Sequence, residues 1–277
     1  MYPTSSLFRT IIERSSRKIM AIPQILALDF DGVICDGLIE YFETAWRTYC
    51  QIWSPSSQIP LPDLAAQFYQ LRPVIETGWE MPVLIRALIL GIPQEKILQD
   101  WATLAQQLLQ EASLTAAEIG KKLDQLRDDW IATDEDGWLS MHRFYPGVID
   151  KLQFLINSPV QPVIITTKEG RFVSKLLQQQ NVNLPEEWII GKESQRPKSE
   201  IIRELITVSG TPLNLWFVED RLKTLKLVQQ QPDLDSVKLY LADWGYNTAS
   251  ERKAAHGDER IEVLSLSQFA QDLSTWS

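Results

Sequence analysis

The sequence predicts an α/β protein: a doubly wound parallel sheet, interrupted near its start by an all-helical insertion. Three observations predict it. Short apolar runs such as Ile25-Leu26-Ala27-Leu28 and Val163-Ile164-Ile165 end in polar or acidic residues, as strands buried on both faces do. From Tyr145 onward, such runs alternate with segments of helical period. Between the first strand and that alternation, from 38 to about 132, every segment has helical period and none reads as a strand.

The elements follow in chain order. Residues 1–20 form an arm ahead of the fold, with Arg9, Arg14, Arg17 and Lys18 against Glu13. They resemble a weak transit peptide, though a start at Met20 or a loose arm is the better reading. Ile25–Leu28 is the first strand, meeting a turn at Asp29-Phe30-Asp31-Gly32. In LIEYFETAWRTYCQIW, Tyr41, Ala45 and Tyr49 share a helical stripe, and SPSSQIPLP at 54–62 ends it. DLAAQFYQL, MPVLIRALIL, QEKILQDWATLAQQLLQEA and TAAEIGKKLDQLRDDWIA read as further helices, the last opened by a Thr115/Glu118 capping box. After Tyr145-Pro146-Gly147 come helix VIDKLQFLI, strand 163–167, helix 171–180, strand 188–191, helix 198–208, strand 213–218 and helix 221–230. Strands at 237–242 and 261–264 and a helix at 266–273 close the chain. The predicted domains are an α/β core from 21–37 and 145–277 and a helical cap from 38–144. Ligands of open α/β sheets bind outside the carboxyl ends of the strands, so an insertion leaving after the first strand is expected to act as a lid there.

Three polar clusters stand at predicted strand ends: Asp29-Phe30-Asp31, Thr166-Thr167-Lys168 and Glu219-Asp220. If the strands are neighbours, four carboxylates converge and repel unless a cation neutralises them. Oxygen ligands select a hard ion, and magnesium keeps waters and phosphate oxygens in its shell. Carboxylates, a hydroxyl and a lysine together are what phosphoryl transfer needs. Singly, each cluster reads equally well as a turn or a helix cap; jointly they do not.

ILALDFDGVICDG resembles the first motif of the haloacid dehalogenase superfamily, PVIITTKEGRFV its second, and WFVEDRLKTL its acidic fourth. The resemblance covers the core; the helical block matches only in position, as a cap inserted after the first motif. It implies a Rossmann-like core and a magnesium-dependent phosphatase with an aspartyl-phosphate intermediate, resembling phosphoglycolate phosphatase or beta-phosphoglucomutase-like members. It further implies that Asp29 is the nucleophile and Asp31 the general acid and base. On the same resemblance, Thr166 would bind the phosphoryl group, and Asp29, the Asp31 carbonyl, Glu219 and Asp220 would hold Mg2+. The motif's lysine is open among Lys192, Lys198 and Arg196, with Lys198 favoured because it begins a helix after a strand. Lys168 reads as a solvated surface charge. A sugar phosphomutase shares every core residue and is the rival enzyme; a non-catalytic interaction protein on the same fold is the rival from another class.

In the helical block, Arg72, Glu76 and Glu80 keep four-residue spacing through RPVIETGWEMP, broken by Gly78 and Pro82. They read as a surface ion-pair stripe or, for Arg72 and Glu76, as substrate-binding groups on a broken lid helix. Trp46, Trp79 and Trp101 read as core, His142 as a structural histidine, and Arg143 with it as a hinge residue. The formal net charge of −9 disfavours nucleic acid and anionic membrane as partners, but not a small phosphorylated metabolite bound through a cation. Cys35 and Cys50 make no zinc site and read as free thiols in a reducing compartment, so a cytoplasmic location is expected. No apolar run approaches the roughly 18 residues of a membrane span.

Overall fold

In the computed structural model, which describes residues 22–207 and 213–276, the run Ile25–Leu28 is strand β1, with all four residues buried. The later strands are β2 (Cys35–Asp36), β3 (Arg143–Phe144), β4 (Gln161–Ile165), β5 (Ile189–Ile190), β6 (Leu215–Glu219), β7 (Lys238–Ala242) and β8 (Ile261–Leu264). Six of them form one sheet in the order β5-β4-β1-β6-β7-β8, every neighbouring pair parallel. The order reverses at β1, which lies between β4 and β6, so the switch point where such sheets bind ligands falls beside β1 and β6. This is the doubly wound α/β fold that the alternating pattern predicts. Apolar side chains of β1, β4, β6 and β7, among them Ala27, Val163, Phe217 and Leu239, share one core cluster with Ile201, Ile202 and Leu225 from flanking helices.

The described residues divide into two compact units. The sheet unit holds those up to Cys35, Phe144–Gly245 and those from Ala249 on; the helical unit holds Asp36–Arg143 and Tyr246–Thr248. The helical unit contains α1 (Leu38–Trp53), α2 (Leu64–Leu71), α3 (Glu80–Ile89), α4 (Gln94–Gln99), α5 (Trp101–Glu111), α6 (Ala116–Thr133) and α7 (Glu135–Leu139). Its core takes the stripe Tyr41, Ala45 and Tyr49 together with Trp46 and Trp101, while Trp79 packs at its margin. Trp46 and Trp101 are therefore core, as the sequence suggests, while Trp79 is only half-buried. His142 is buried, with Nδ1 3.2 Å from the Trp138 carbonyl oxygen and its ring packed edge-on against the Trp138 ring.

The sheet unit carries α8 (Val148–Ile156), α9 (Gly170–Gln179), α10 (Lys198–Thr207), α11 (Leu222–Gln229), α12 (Ala249–His256) and α13 (Leu266–Phe269). Several elements differ from the sequence reading for local reasons. The single helix expected over 94–112 is two, because Asp100 leaves helical geometry (φ −151°, ψ 62°) and its side chain caps the second by accepting from the Thr103 amide. The strand expected over 188–191 is only two residues, preceded by a 3-10 turn at Glu186–Trp188. The closing helix stops at Phe269, and a separate 3-10 turn follows at Leu273–Thr275. The arm at 1–20 and the expected helix end at Val208 lie outside the described residues.

Candidate active site

The register of the sheet sets three of the polar clusters at one edge. Leu28 pairs with Ile164 of β4 and Val218 of β6, so Asp29, Thr166 and Glu219 all fall at or just past the carboxyl ends of neighbouring strands. The Asp29 amide still donates to the Val218 carbonyl (3.0 Å), and the Thr166 amide to that of Ile190 (3.0 Å), so both residues are held by the sheet's own ladder. Gly32 then turns the chain at φ 89°, a conformation costly for residues with a Cβ.

Asp29, Thr166, Glu219 and Asp220 are all buried. Carboxylate oxygens of Asp29, Glu219 and Asp220 lie within 4.8 Å of one another. Lys198, the first residue of α10, places its ammonium 2.8 Å from Asp29 Oδ1 and 2.7 Å from Glu219 Oε2. Among the three cations left open by the sequence, it alone reaches the carboxylates: Lys192 is exposed, and Arg196 pairs with Glu204 on the surface. The other Glu219 oxygen accepts from the amides of Asp220 (3.1 Å) and Arg221 (3.0 Å).

One ammonium does not balance three buried carboxylates. Burial, and then the neighbouring Glu219 charge, push the Asp29 carboxyl up to about 7, against the pull of Lys198. Glu219 is raised as well, by burial first. Burial alone would lower the Lys198 ammonium, but Asp29 and Glu219 outweigh it and hold Lys198 firmly protonated. An all-oxygen donor set with residual negative charge fits a hard divalent cation.

Lys168 is not the solvated surface charge that its sequence context suggests. Its side chain is 9% exposed and its ammonium lies 3.1 Å from Asp31 Oδ1. Its backbone amide donates to Thr166 Oγ1 at 3.1 Å. The sequence signal for it was position alone, two residues after the strand-end threonine.

The ion-pair stripe expected along 72–80 is not formed. Arg72–Val74 is a 3-10 turn, so the four-residue spacing does not continue on one helix face. Glu80 is buried: one oxygen accepts from the amides of Glu76 and Thr77 (both 2.6 Å), and the other accepts from Trp101 Nε1 (3.2 Å). Glu76 is exposed. The Arg72 guanidinium lies 5.0 Å from the Tyr41 ring centre and 4.6 Å from that of Tyr246, and donates to the Ile75 carbonyl at 3.1 Å.

No family model matches the sequence. A phosphoglycolate phosphatase of Pseudomonas putida is 30% identical over 123 residues, which cover 42% of this chain and 45% of that protein. Phosphoglycolate phosphatase 1 of Pseudomonas aeruginosa is 34% identical over 80 residues, covering 27% and 29%. The chain thus matches less than half the length of these curated relatives. A haloacid dehalogenase-like hydrolase from Bacteroides fragilis superposes with TM-score 0.51 at 17% identity, over 89% of this chain and 99% of that one. The chain has the fold of this haloacid dehalogenase-like hydrolase. Protein Tyrosine Kinase A of Mycobacterium tuberculosis superposes on this chain as well (TM-score 0.54, 15% identity, 91% and 98% covered). Proteins with such different names on one fold leave the reaction to be argued from the site. Among the described residues, no helix is long and apolar enough to cross a membrane.

Proposed function

We propose that the chain hydrolyses a small phosphomonoester through an aspartyl-phosphate on Asp29. The observation that carries this reading is the Asp29 carboxylate, at the end of the central strand, bridged to Glu219 by Lys198. Asp29 Oδ attacks phosphorus; the bond from phosphorus to the leaving oxygen breaks, and Asp31 supplies a proton to that oxygen. In the second half, Asp31 takes a proton from water, the hydroxide attacks phosphorus, and the bond to Asp29 breaks to release inorganic phosphate. Thr166 donates its hydroxyl to the phosphoryl oxygens, and Lys198 offsets their charge. Asp29, Glu219, Asp220 and the Asp31 carbonyl would hold Mg2+, which when bound neutralises the carboxylates and the transferring group. Arg72 and Glu76 are assigned to substrate recognition, Arg72 as the cation for an anionic part of the substrate.

The names of the curated relatives make phosphoglycolate the first substrate to try. Phosphate release is measured across a panel of phosphorylated metabolites, including phosphorylated sugars, with magnesium and with excess chelator. Release from at least one small phosphomonoester, abolished by chelator and by Asp29→Asn, is the expected result. Isomerisation of a phosphorylated sugar without phosphate release would replace hydrolysis by a mutase reaction. Turnover by Asp29→Asn at the parent rate would remove Asp29 as nucleophile.

A further inference from the structure

The Asp31 carboxylate is held by one residue. Lys168 Nζ donates to Oδ1 at 3.1 Å and to Oδ2 at 3.3 Å, and among the described residues no other group bonds that carboxylate. The pair is sheltered: the two side chains are 9% and 16% exposed. Lys168 is itself anchored through its backbone. Its amide donates to Thr166 Oγ1 (3.1 Å), and its carbonyl accepts from the Lys192 amide (2.9 Å). A single residue therefore touches both groups that flank the reaction assigned to Asp29.

These contacts have chemical consequences. An aspartate carboxylate turns about two bonds, and among the described residues only Lys168 hydrogen-bonds this carboxylate and so fixes those turns. The ammonium takes one lone-pair site on each oxygen and leaves the others for proton exchange. At Thr166 the hydroxyl oxygen already accepts from the Lys168 amide, so its own hydrogen is directed away, toward another acceptor.

We propose that Lys168 is a positioning residue of the reaction: its ammonium aims the Asp31 carboxylate at the leaving oxygen, while its backbone amide orients the Thr166 hydroxyl. The proposal rests on Asp31 as general acid and base. The proton that reaches the leaving oxygen is that of Asp31. The two functions separate by substitution, because a side-chain change leaves the backbone amide in place.

The test uses phenyl phosphate and 4-nitrophenyl phosphate, of similar size but with poor and good leaving groups, and inorganic phosphate as inhibitor. Misaiming a catalytic group by about 1 Å costs up to roughly a hundredfold, so Lys168→Met is expected to lose ~10–100-fold in kcat on phenyl phosphate. On nitrophenyl phosphate it loses only a few-fold, since that leaving group needs little protonation. KM and inhibition by inorganic phosphate stay within about twofold, because the amide still orients Thr166. In an Asp31→Asn background, Lys168→Met costs less than about twofold more, as two residues acting through one group are not additive. Lys168→Gln serves the same comparison should the methionine variant not fold. Equal losses on both substrates, no loss on either, or a full added loss in the Asp31→Asn background would each overturn the proposal. If Asp31→Asn shows the leaving-group-dependent deficit and Lys168→Met does not, only the role of Lys168 falls. If Asp31→Asn shows none, the acid-base reading falls with it.

Discussion

Lys198 sits between two carboxylates, and its removal affects more than catalysis. Lys198→Ala leaves Asp29 and Glu219 buried without their shared cation, the kind of change that costs ~3–5 kcal/mol. The variant is expected to melt well below the parent in chelator, and magnesium is expected to restore part of the difference. Identical melting in chelator would show that the pair contributes nothing to stability. Asp220→Asn tests the other side of the cluster: magnesium affinity measured by titration calorimetry is expected to fall roughly tenfold or more, with little change in the metal-free fold. The residue types were legible in the sequence because strand ends of a parallel sheet converge, whatever lies between them. Side-chain direction was not. Lys198 is preferred in sequence for its place at a helix start, and its ammonium lies against Asp29 and Glu219. Lys168 was misread because nothing within TTKEG shows that its ammonium turns inward to Asp31, 137 positions away.

Individual elements were legible to the extent that their own residues encode them. The capping box on α6 is present in full, Thr115 and Glu118 each satisfying the other's amide. The helix α12 went unread because ASERKAAH buries only Ala255 and has no apolar stripe. The entry to β8 depends on Asp258, whose oxygens accept from the Lys226 ammonium, Gln229 Nε2 (2.9 Å) and the amides of Arg260 (2.8 Å) and Ile261 (3.1 Å). Burial pushes its carboxyl up, but the bonds from Lys226 and the Arg260 amide outweigh it and hold the carboxyl below its ordinary value. A carboxyl depressed on folding stabilises the protein above its unfolded pKa, and that contribution is lost as pH falls through the folded pKa. Asp258→Asn keeps an acceptor for the amides but loses the charge, so it is expected to cost ~1–2 kcal/mol at pH 7. The gap to the parent should begin to narrow below about pH 4, the ordinary aspartate value, and close only once pH falls beneath the lower folded value, where the parent carboxyl is also neutral. A gap unchanged between pH 7 and pH 2 in denaturant titrations would mean that packing, and not charge, holds this junction.

At the scale of the whole chain, the division into two units depends on partners that no local pattern announces. Tyr246–Thr248 follows the sheet strand β7 in sequence yet groups with the helical unit, a departure from the continuous core assigned to 145–277. Its anchor is Tyr246, whose hydroxyl accepts from the Gly37 amide (2.8 Å) and donates to Asp36 Oδ1 (3.1 Å), partners more than 200 positions away. The residue just before it, Gly245, is fixed by space. A Cβ there would stand 2.3 Å from Asp220 Cβ and 2.5 Å from the Gly32 carbonyl oxygen. Neither neighbour is the far end of a flexible side chain, so alanine at 245 must displace the backbone of the turn at Gly32 or that of Asp220. Overpacking of this kind costs ~1–3 kcal/mol. Because Asp220 belongs to the carboxylate cluster, the same displacement should weaken magnesium binding. Gly245→Ala is therefore expected to lower the melting temperature and the magnesium affinity together. Gly257→Ala is the control, since a Cβ there meets nothing closer than 3.7 Å and no cluster residue. If Gly245→Ala melts lower but binds magnesium as the parent does, the strain is absorbed on the Gly32 side. If both properties match those of Gly257→Ala, the turn has room that the spacing around Gly245 denies.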